Sequence, residues 1–375
     1  MNVETPALPA LIQSRGDLSE LAQDLRRQTR IAVDTESNSL HAYRERVCLI
    51  QFSTADRDCV VDPLAFDELD VLAGIFANPL IEKVFHASEY DVVCLRRDFG
   101  FSFNTIFDTM QAGRILGRKQ AGLDRLLEEK FGIATNKRFQ KADWGVRPLG
   151  RDLLLYAALD THYLLALRDL LAAELHAKGL WELAQDDFRM ACHAREQRPR
   201  TESPAWTRFR TRRDIAPRDL TILRELIACR EAIAARLDRP PFKVLEDYRL
   251  LELARARPAT TQELESLGLA ARQMELAGTD VLAAVATGLE SPLVENLPRR
   301  TSSEPHLKRL EKLKEWRKKA AAEMDVESDV ILPRGMLLAL AENGKQAVAG
   351  ILESSPWRLA RFGDQISALL QALPS

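Results

Sequence analysis

The chain has 375 residues, 46% of them hydrophobic and 29% charged, with a formal net charge of −2, the ordinary profile of a soluble globular protein with room for two or three domains. No apolar run approaches the roughly 18 residues of a membrane-spanning helix, and five cysteines, an odd set without C-x-x-C spacing and mostly in apolar surroundings, fit reduced, packed thiols. The small net charge hides local excess, because residues 189–218 hold nine arginines against three acids and residues 299–319 hold nine Lys/Arg against three acids, so anionic partners stay open.

The N-terminus lacks the basic-then-apolar pattern of a signal peptide, and the expected location is cytoplasmic. From residue 31 to about 110, β-rich runs ("IAVDT", "VCLIQFST", "DCVVD", "KVFHA") alternate with helical stretches such as "FDELDVLAGIFAN" and "EYDVVCLRRDFG". The first three runs lie close together and predict an antiparallel meander, so a mixed α/β sheet flanked by helices is expected. In the first run Asp34 and Glu36 stand two apart, which on a strand sends both carboxylates out of one face. Asp91 follows "KVFHA" at the start of an apolar helix, and Asp160 sits inside "LLLYAALDTHYLLAL", read as one mostly buried helix. Tyr156 precedes Asp160 by four positions and shares its helix face.

From about residue 122 strands disappear, and helices with proline-containing breaks run to the C-terminus. An ungapped repeat appears there: Leu223, Leu226, Arg230, Asp238, Leu245, Leu250, Leu253 and Ala254 recur as Leu310, Leu313, Arg317, Asp325, Leu332, Leu337, Leu340 and Ala341, an offset of 87. Leucines alone recur by chance, but the matched Arg and Asp predict a duplicated small helical module. The expected organisation is an α/β domain over 1–198, a linker 199–213, a helical domain 214–292, a linker 293–304 and a second, divergent helical domain 305–375. The boundaries fall in the polar stretches 197–204 and 295–305.

Any one of the four acids alone reads as a helix cap or an arginine partner. Four that share a site repel one another unless divalent cations lie between them, and oxygen-only ligands point to Mg²⁺ or Mn²⁺ rather than zinc. "VDTES", "HASEYD" and "YAALD" resemble the three motifs of the DEDD superfamily of 3′-to-5′ exonucleases, which has a ribonuclease H-like fold. "FDTMQAGRILG", "FQKADWGVRPL" and "YAALDTHYLL" are similar to the ribonuclease D group and its exosome-associated relatives, over roughly residues 10–180. The histidine subclass carries a histidine five positions before the final Asp, where this chain has Leu155, so the resemblance is to the tyrosine subclass.

The resemblance implies Asp34, Glu36, Asp91 and Asp160 as ligands of two metal ions, and Tyr156 as the group that positions the attacking water. His86, Trp144 and Arg147 are candidate substrate contacts, Trp144 by stacking on a base and Arg147 by meeting a phosphate, with a core tryptophan and a surface ion pair as the alternatives. Gln51 in "LIQFS" belongs to the pattern of the resembled family and is read as securing the sheet, and His162 and Tyr163 are read as packing and helix-face residues. The segment beginning "LRELIACREAIAARL" resembles the helicase-and-ribonuclease-D C-terminal (HRDC) domain, and the stretch ending "SPWRLARFGDQISALL" resembles a second copy. That likeness makes the basic stretches candidates for phosphate contact, with protein docking as the competitor. No G-x-x-x-x-G-K-[ST] loop is present, so no nucleotide cofactor and no motor activity are expected. The implied activity is metal-dependent exoribonuclease action on RNA 3′ ends, precursor tRNA among them, by a monomer without membrane association. A DNA exonuclease and a non-catalytic RNA-binding adaptor are the alternatives, and the intact acid set argues against the second.

Overall fold

The computed structural model describes residues 7–135, 137–194, 204–297 and 303–373. Residues 197–203 and 298–302, which carry most of the two expected linker boundaries, lie outside the described residues.

One mixed sheet of six strands organises the first half, in the order β1-β4-β3-β2-β5-β6. Strands β2 (Arg30–Ser37), β3 (Val47–Ser53) and β4 (Asp58–Val61) form the expected antiparallel meander. The strand β5 (Glu82–Phe85) runs parallel to β2, and two three-residue strands add parallel edges: β1 (Ala10–Ile12) beside β4 and β6 (Ile106–Asp108) beside β5. Those edge strands escape a reading of alternation because three residues are too few to display it.

Both faces of the sheet are covered. Helices α1 (Arg15–Arg27), α2 (Asp70–Ala77) and α3 (Glu89–Phe99) share a core with Ile31, Val33, Ile50 and Phe52. In α1, Leu18, Leu21, Ala22 and Leu25 lie on one stripe, and the Ser14 hydroxyl accepts the Asp17 N–H at 3.1 Å to start the helix. The opposite face, which by alternation carries Asp34 and Glu36, meets α4 (Thr109–Ile115), α5 (Leu123–Phe131), α6 (Arg151–His162), α7 (Leu164–Ala177) and α8 (Trp181–Ala191). The single helix expected around Asp160 is two, α6 and α7, separated at Tyr163. Ser53 on β3 donates to Thr161 at 2.7 Å, and the His162 ring meets Asp58 at 2.7 Å, so the end of α6 is tied to the sheet just before the break.

The helical second half is a repeat in three dimensions as well as in sequence. Helices α9 (Pro217–Arg236), α10 (Pro241–Val244), α11 (Asp247–Ala256), α12 (Thr261–Ser266) and α13 (Ala271–Glu290) are followed by α14 (Glu304–Met324), α15 (Ser328–Ile331), α16 (Arg334–Asn343), α17 (Val348–Leu352) and α18 (Pro356–Gln371). The matched residues do the same work in each copy: Arg230 donates to the Leu245 carbonyl and Arg317 to the Leu332 carbonyl, each at 3.0 Å. Asp238 and Asp325 both turn the chain in the left-handed region, at φ 45° and 53°. Many cations of the two basic stretches are engaged within their own module: Arg208 with Asp247, Arg212 with Asp214, Arg218 with the Gly288 and Ser291 carbonyls, Lys308 with Glu304 and Lys312 with Glu315. This is the pattern of a solvated charged surface.

The chain divides into two compact units: Met1–Ser37 with Val47–Arg195 and Ser302–Ser375, and Asn38–Arg46 with Glu196–Thr301. The second helical module thus belongs to the unit that contains the sheet. Its fully buried Arg358 donates to Asp187 of α8 at 2.6 Å and to the Val330 and Ile331 carbonyls, while Asp186 accepts the Ser355 hydroxyl at 2.6 Å and the Trp357 N–H at 2.9 Å. Arg114 of α4 pairs with Glu327 and Asp329 beside this contact. Among the described residues, no helix is long and apolar enough to cross a membrane.

Removing one member of a buried ion pair leaves its partner charged in an apolar setting. Arg358→Met is therefore expected to destabilise the protein by about 3–5 kcal/mol in urea unfolding; a variant as stable as its parent would contradict this account of the docked module.

Candidate active site

Strand β2 supplies Asp34 and Glu36 from one face, and α6 crosses that face with Tyr156 and Asp160 one turn apart. Carboxylate oxygens of Asp34, Glu36 and Asp160 lie within 4.8 Å of one another. They open into a cavity of about 380 Å³ that His86, Gln140 and Tyr156 also line.

Among the described residues, no basic side chain forms an ion pair with Asp34, Glu36 or Asp160. Burial pushes the Asp34 carboxyl up to about 7 against a backbone hydrogen bond from Thr35. Burial and then the charges of Asp34, Asp160 and Asp91 push Glu36 up to about 10. Asp160 is held well above the usual carboxylate range by burial and by Asp34. The group therefore favours either protons or a cation, and its oxygen-only donor set fits a hard divalent ion. The residues present thus fit the metal implied by the sequence resemblance.

Asp91 is placed next to this group rather than in it. It is buried in the first turn of α3, accepts a hydrogen bond from Thr35, and is likewise raised by burial and by Asp34. The turn before it is held by Asp108, a residue sequence reasoning passed over, whose carboxylate accepts the Ala87 and Ser88 N–H groups at 3.1 and 2.7 Å and the Ser88 hydroxyl at 2.7 Å. Asp108 also caps α4 through Met110 and Gln111. An Asp after a short apolar run and before a helix was the signal that could have found it. Ala87 pays for this turn with φ at 63°, a conformation disfavoured for a residue with a Cβ.

His86 lines the cavity, and its protonation pattern follows from its neighbours. The Thr109 hydroxyl donates to the Phe85 carbonyl at 3.0 Å, which leaves Thr109 to accept Nδ1–H of His86 at 2.9 Å and makes Nε2 an acceptor. Burial lowers the imidazole's proton affinity, in keeping with the neutral ring.

Trp144 and Arg147 do not sit where stacking and phosphate contact would need them. Trp144 is fully buried with Leu49, Leu154 and Ala157, and its ring stacks on Tyr156 at 6.1 Å between centroids, so it braces the tyrosine instead of meeting a base. Arg147 grips Asp62 through two nitrogens at 2.7 and 2.6 Å and donates to the Trp144 and Cys48 carbonyls, which consumes the fork a phosphate would use. Tyr156 is further fenced by Phe139 at 5.8 Å, and burial followed by the Asp160, Glu36 and Asp34 charges raises its phenol far above the ordinary value.

A 3′-5′ exonuclease family profile matches residues 9–176, and the HRDC domain profile matches residues 219–285 and 306–370. The chain is 32% identical over 277 residues to the exosome complex exonuclease RRP6 of Saccharomyces cerevisiae, an alignment that covers 70% of this chain and 38% of that protein. It therefore spans little more than a third of that longer relative. It is also 32% identical over 288 residues to ribonuclease D of Gluconacetobacter diazotrophicus, covering 76% of this chain and 73% of that one. The crystal structure of Escherichia coli RNase D superposes with a TM-score of 0.70 at 24% identity, covering 98% of this chain and all of that one, a likeness of fold.

Acids whose proton affinity is raised on folding contribute stability that is complete below the ordinary carboxylate pKa near 4 and is lost as pH climbs through the folded value. With Asp34 at about 7 and Glu36 at about 10, the metal-free protein is expected to melt at progressively lower temperature between pH 5 and pH 8. Saturating Mg²⁺ is expected to flatten that decline, and a melting curve equally steep with and without the ion would contradict the metal assignment.

Proposed function

The chain belongs to the 3′-5′ exonuclease family that includes ribonuclease D, and from that membership we propose that it is a divalent-metal-dependent exoribonuclease that trims RNA from the 3′ end and releases 5′-mononucleotides. The observation that carries the proposal is the convergence of Asp34, Glu36 and Asp160 within 4.8 Å, with no basic ion-pair partner among the described residues, in a cavity walled by Tyr156. Precursor tRNA and other structured RNA 3′ ends are the proposed substrates, in line with the description of E. coli RNase D as an exoribonuclease involved in structured RNA processing. A monomer in a reducing, cytoplasmic setting is part of the reading, the latter resting on a cysteine set without C-x-x-C spacing.

Asp34, Glu36 and Asp160, with Asp91 beside them, would hold two Mg²⁺ or Mn²⁺ ions, which when bound supply a water acidic enough to attack near neutral pH and neutralise charge on the phosphoryl and leaving oxygens. The chain's own groups then do three things. Tyr156 keeps its proton, so its hydroxyl orients the attacking water by hydrogen bonding and does not act as the base. Trp144 and Phe139 fix the direction of that hydroxyl by confining the ring. His86 presents Nε2 as a neutral acceptor for a sugar hydroxyl of the terminal nucleotide. Asp91 is buried, and Asp34, Glu36 and Asp160 are only partly exposed, which limits the access of bulk water.

Incubation with 3′-end-matched RNA and DNA strands in Mg²⁺, read as product length over time, is expected to give stepwise shortening of RNA from the 3′ end. Asp34→Asn or Asp160→Asn should abolish it while the fold persists. Tyr156→Phe, which removes one hydrogen bond to a charged reacting group worth about 1.5–3 kcal/mol, should slow it tenfold to a hundredfold. Undiminished turnover in either Asn variant, or degradation of DNA alone, would overturn the reading.

A further inference from the structure

Gln51 lies on β3 directly opposite Asp34 of β2 in the antiparallel register. Facing residues of such a pair project to the same side of the sheet, so its side chain shares the acids' face. Ser53, two positions on, reaches Thr161 of α6 from that same side. Across from it α6 presents Ala157 and Ala158, both buried, a helix surface small enough to admit a long side chain. Gln51 is fully buried, and neither its amide nitrogen nor its oxygen has a hydrogen-bond partner among the described residues. The amide therefore does not secure the sheet, the role its place in an apolar strand had implied.

An orphaned amide in a dry interior is costly, and a leucine or methionine would fill the same space without that cost. The neighbour that can use its two N–H donors is Asp34, which in the proposed metal centre must present charged oxygens in a fixed orientation. We infer that Gln51 is a positioning residue for the metal centre, donating from its amide to the Asp34 carboxylate so that this ligand stays oriented when a divalent cation is bound. The inference rests on the metal-dependent reading above. It separates two properties that normally move together, since the amide serves ion binding and contributes nothing to the metal-free fold.

The experiment compares wild type with Gln51→Met and Gln51→Leu in the full-length chain, by thermal melting without metal and by Mg²⁺ titration of the melting temperature. Both variants are expected to melt, metal-free, at or above the wild-type temperature, while the Mg²⁺ concentration for half-maximal stabilisation rises roughly tenfold, equivalent to about 1.4 kcal/mol. Unchanged half-saturation in the two variants overturns the inference. Metal-free variants that melt below wild type, or do not fold, overturn it as well, because the amide would then be bonded within the fold. A wild-type protein that Mg²⁺ does not stabilise at all would instead remove the metal-dependent reading itself, which keeps the two failures distinct.

Discussion

Mutual repulsion among half-buried carboxylates is the constraint on which this structure turns. Unit charges 4.8 Å apart, the separation that bounds the Asp34, Glu36 and Asp160 oxygens, repel by roughly 3 kcal/mol per pair at an effective dielectric near 20. Three such pairs amount to about 10 kcal/mol, comparable with the whole stability of an ordinary domain. Among the described residues no arginine or lysine pairs with them, so the metal-free state holds protons where the loaded state holds cations. A fold keeps such an arrangement only if something outside the chain supplies the positive charge.

The architecture serves that arrangement with rigid parts. Two acids come from a central strand whose neighbour β3 is buried along its whole length, and a third comes from a helix tied to the sheet by Ser53 and Asp58. Asp108 ties the Ala87 turn to the start of α4, so the loop that presents His86 and the helix that presents Asp91 are set by one buried carboxylate. The far end of α4 meets the second helical module through Arg114, and α8 meets it through Asp186 and Asp187. That module is thereby part of the scaffold beneath the site.

The parts of the site that were legible from sequence depend on short-range geometry. Spacing of two on a strand and four on a helix places Asp34 with Glu36 and Tyr156 with Asp160 whatever the rest of the fold does. The repeat was legible for a similar reason: Arg230 and Arg317 reach a carbonyl fifteen residues on, and Asp238 and Asp325 occupy matching left-handed turns. What escaped depends on contacts between distant segments. Arg147 has the look of a phosphate ligand until Asp62, 85 residues away in the chain, takes both sides of its guanidinium. Trp144 has the look of a stacking platform until burial turns it into a brace for Tyr156. Nothing in "LIQFS" distinguishes a bonded glutamine from an orphaned one, and the break at Tyr163 has no glycine or proline to announce it.

The central claim is that these oxygens cage hard cations at the end of a bound RNA strand. The most direct measurement is a crystal structure with Mn²⁺ and a short RNA carrying a non-hydrolysable 3′-terminal linkage, with the ions located by anomalous scattering. The account predicts ions at about 2.0–2.2 Å from oxygens of Asp34, Glu36 and Asp160, with the terminal phosphate between them and Tyr156. An RNA end bound elsewhere, or an acid cluster that takes up no ion at saturating Mn²⁺, would contradict it.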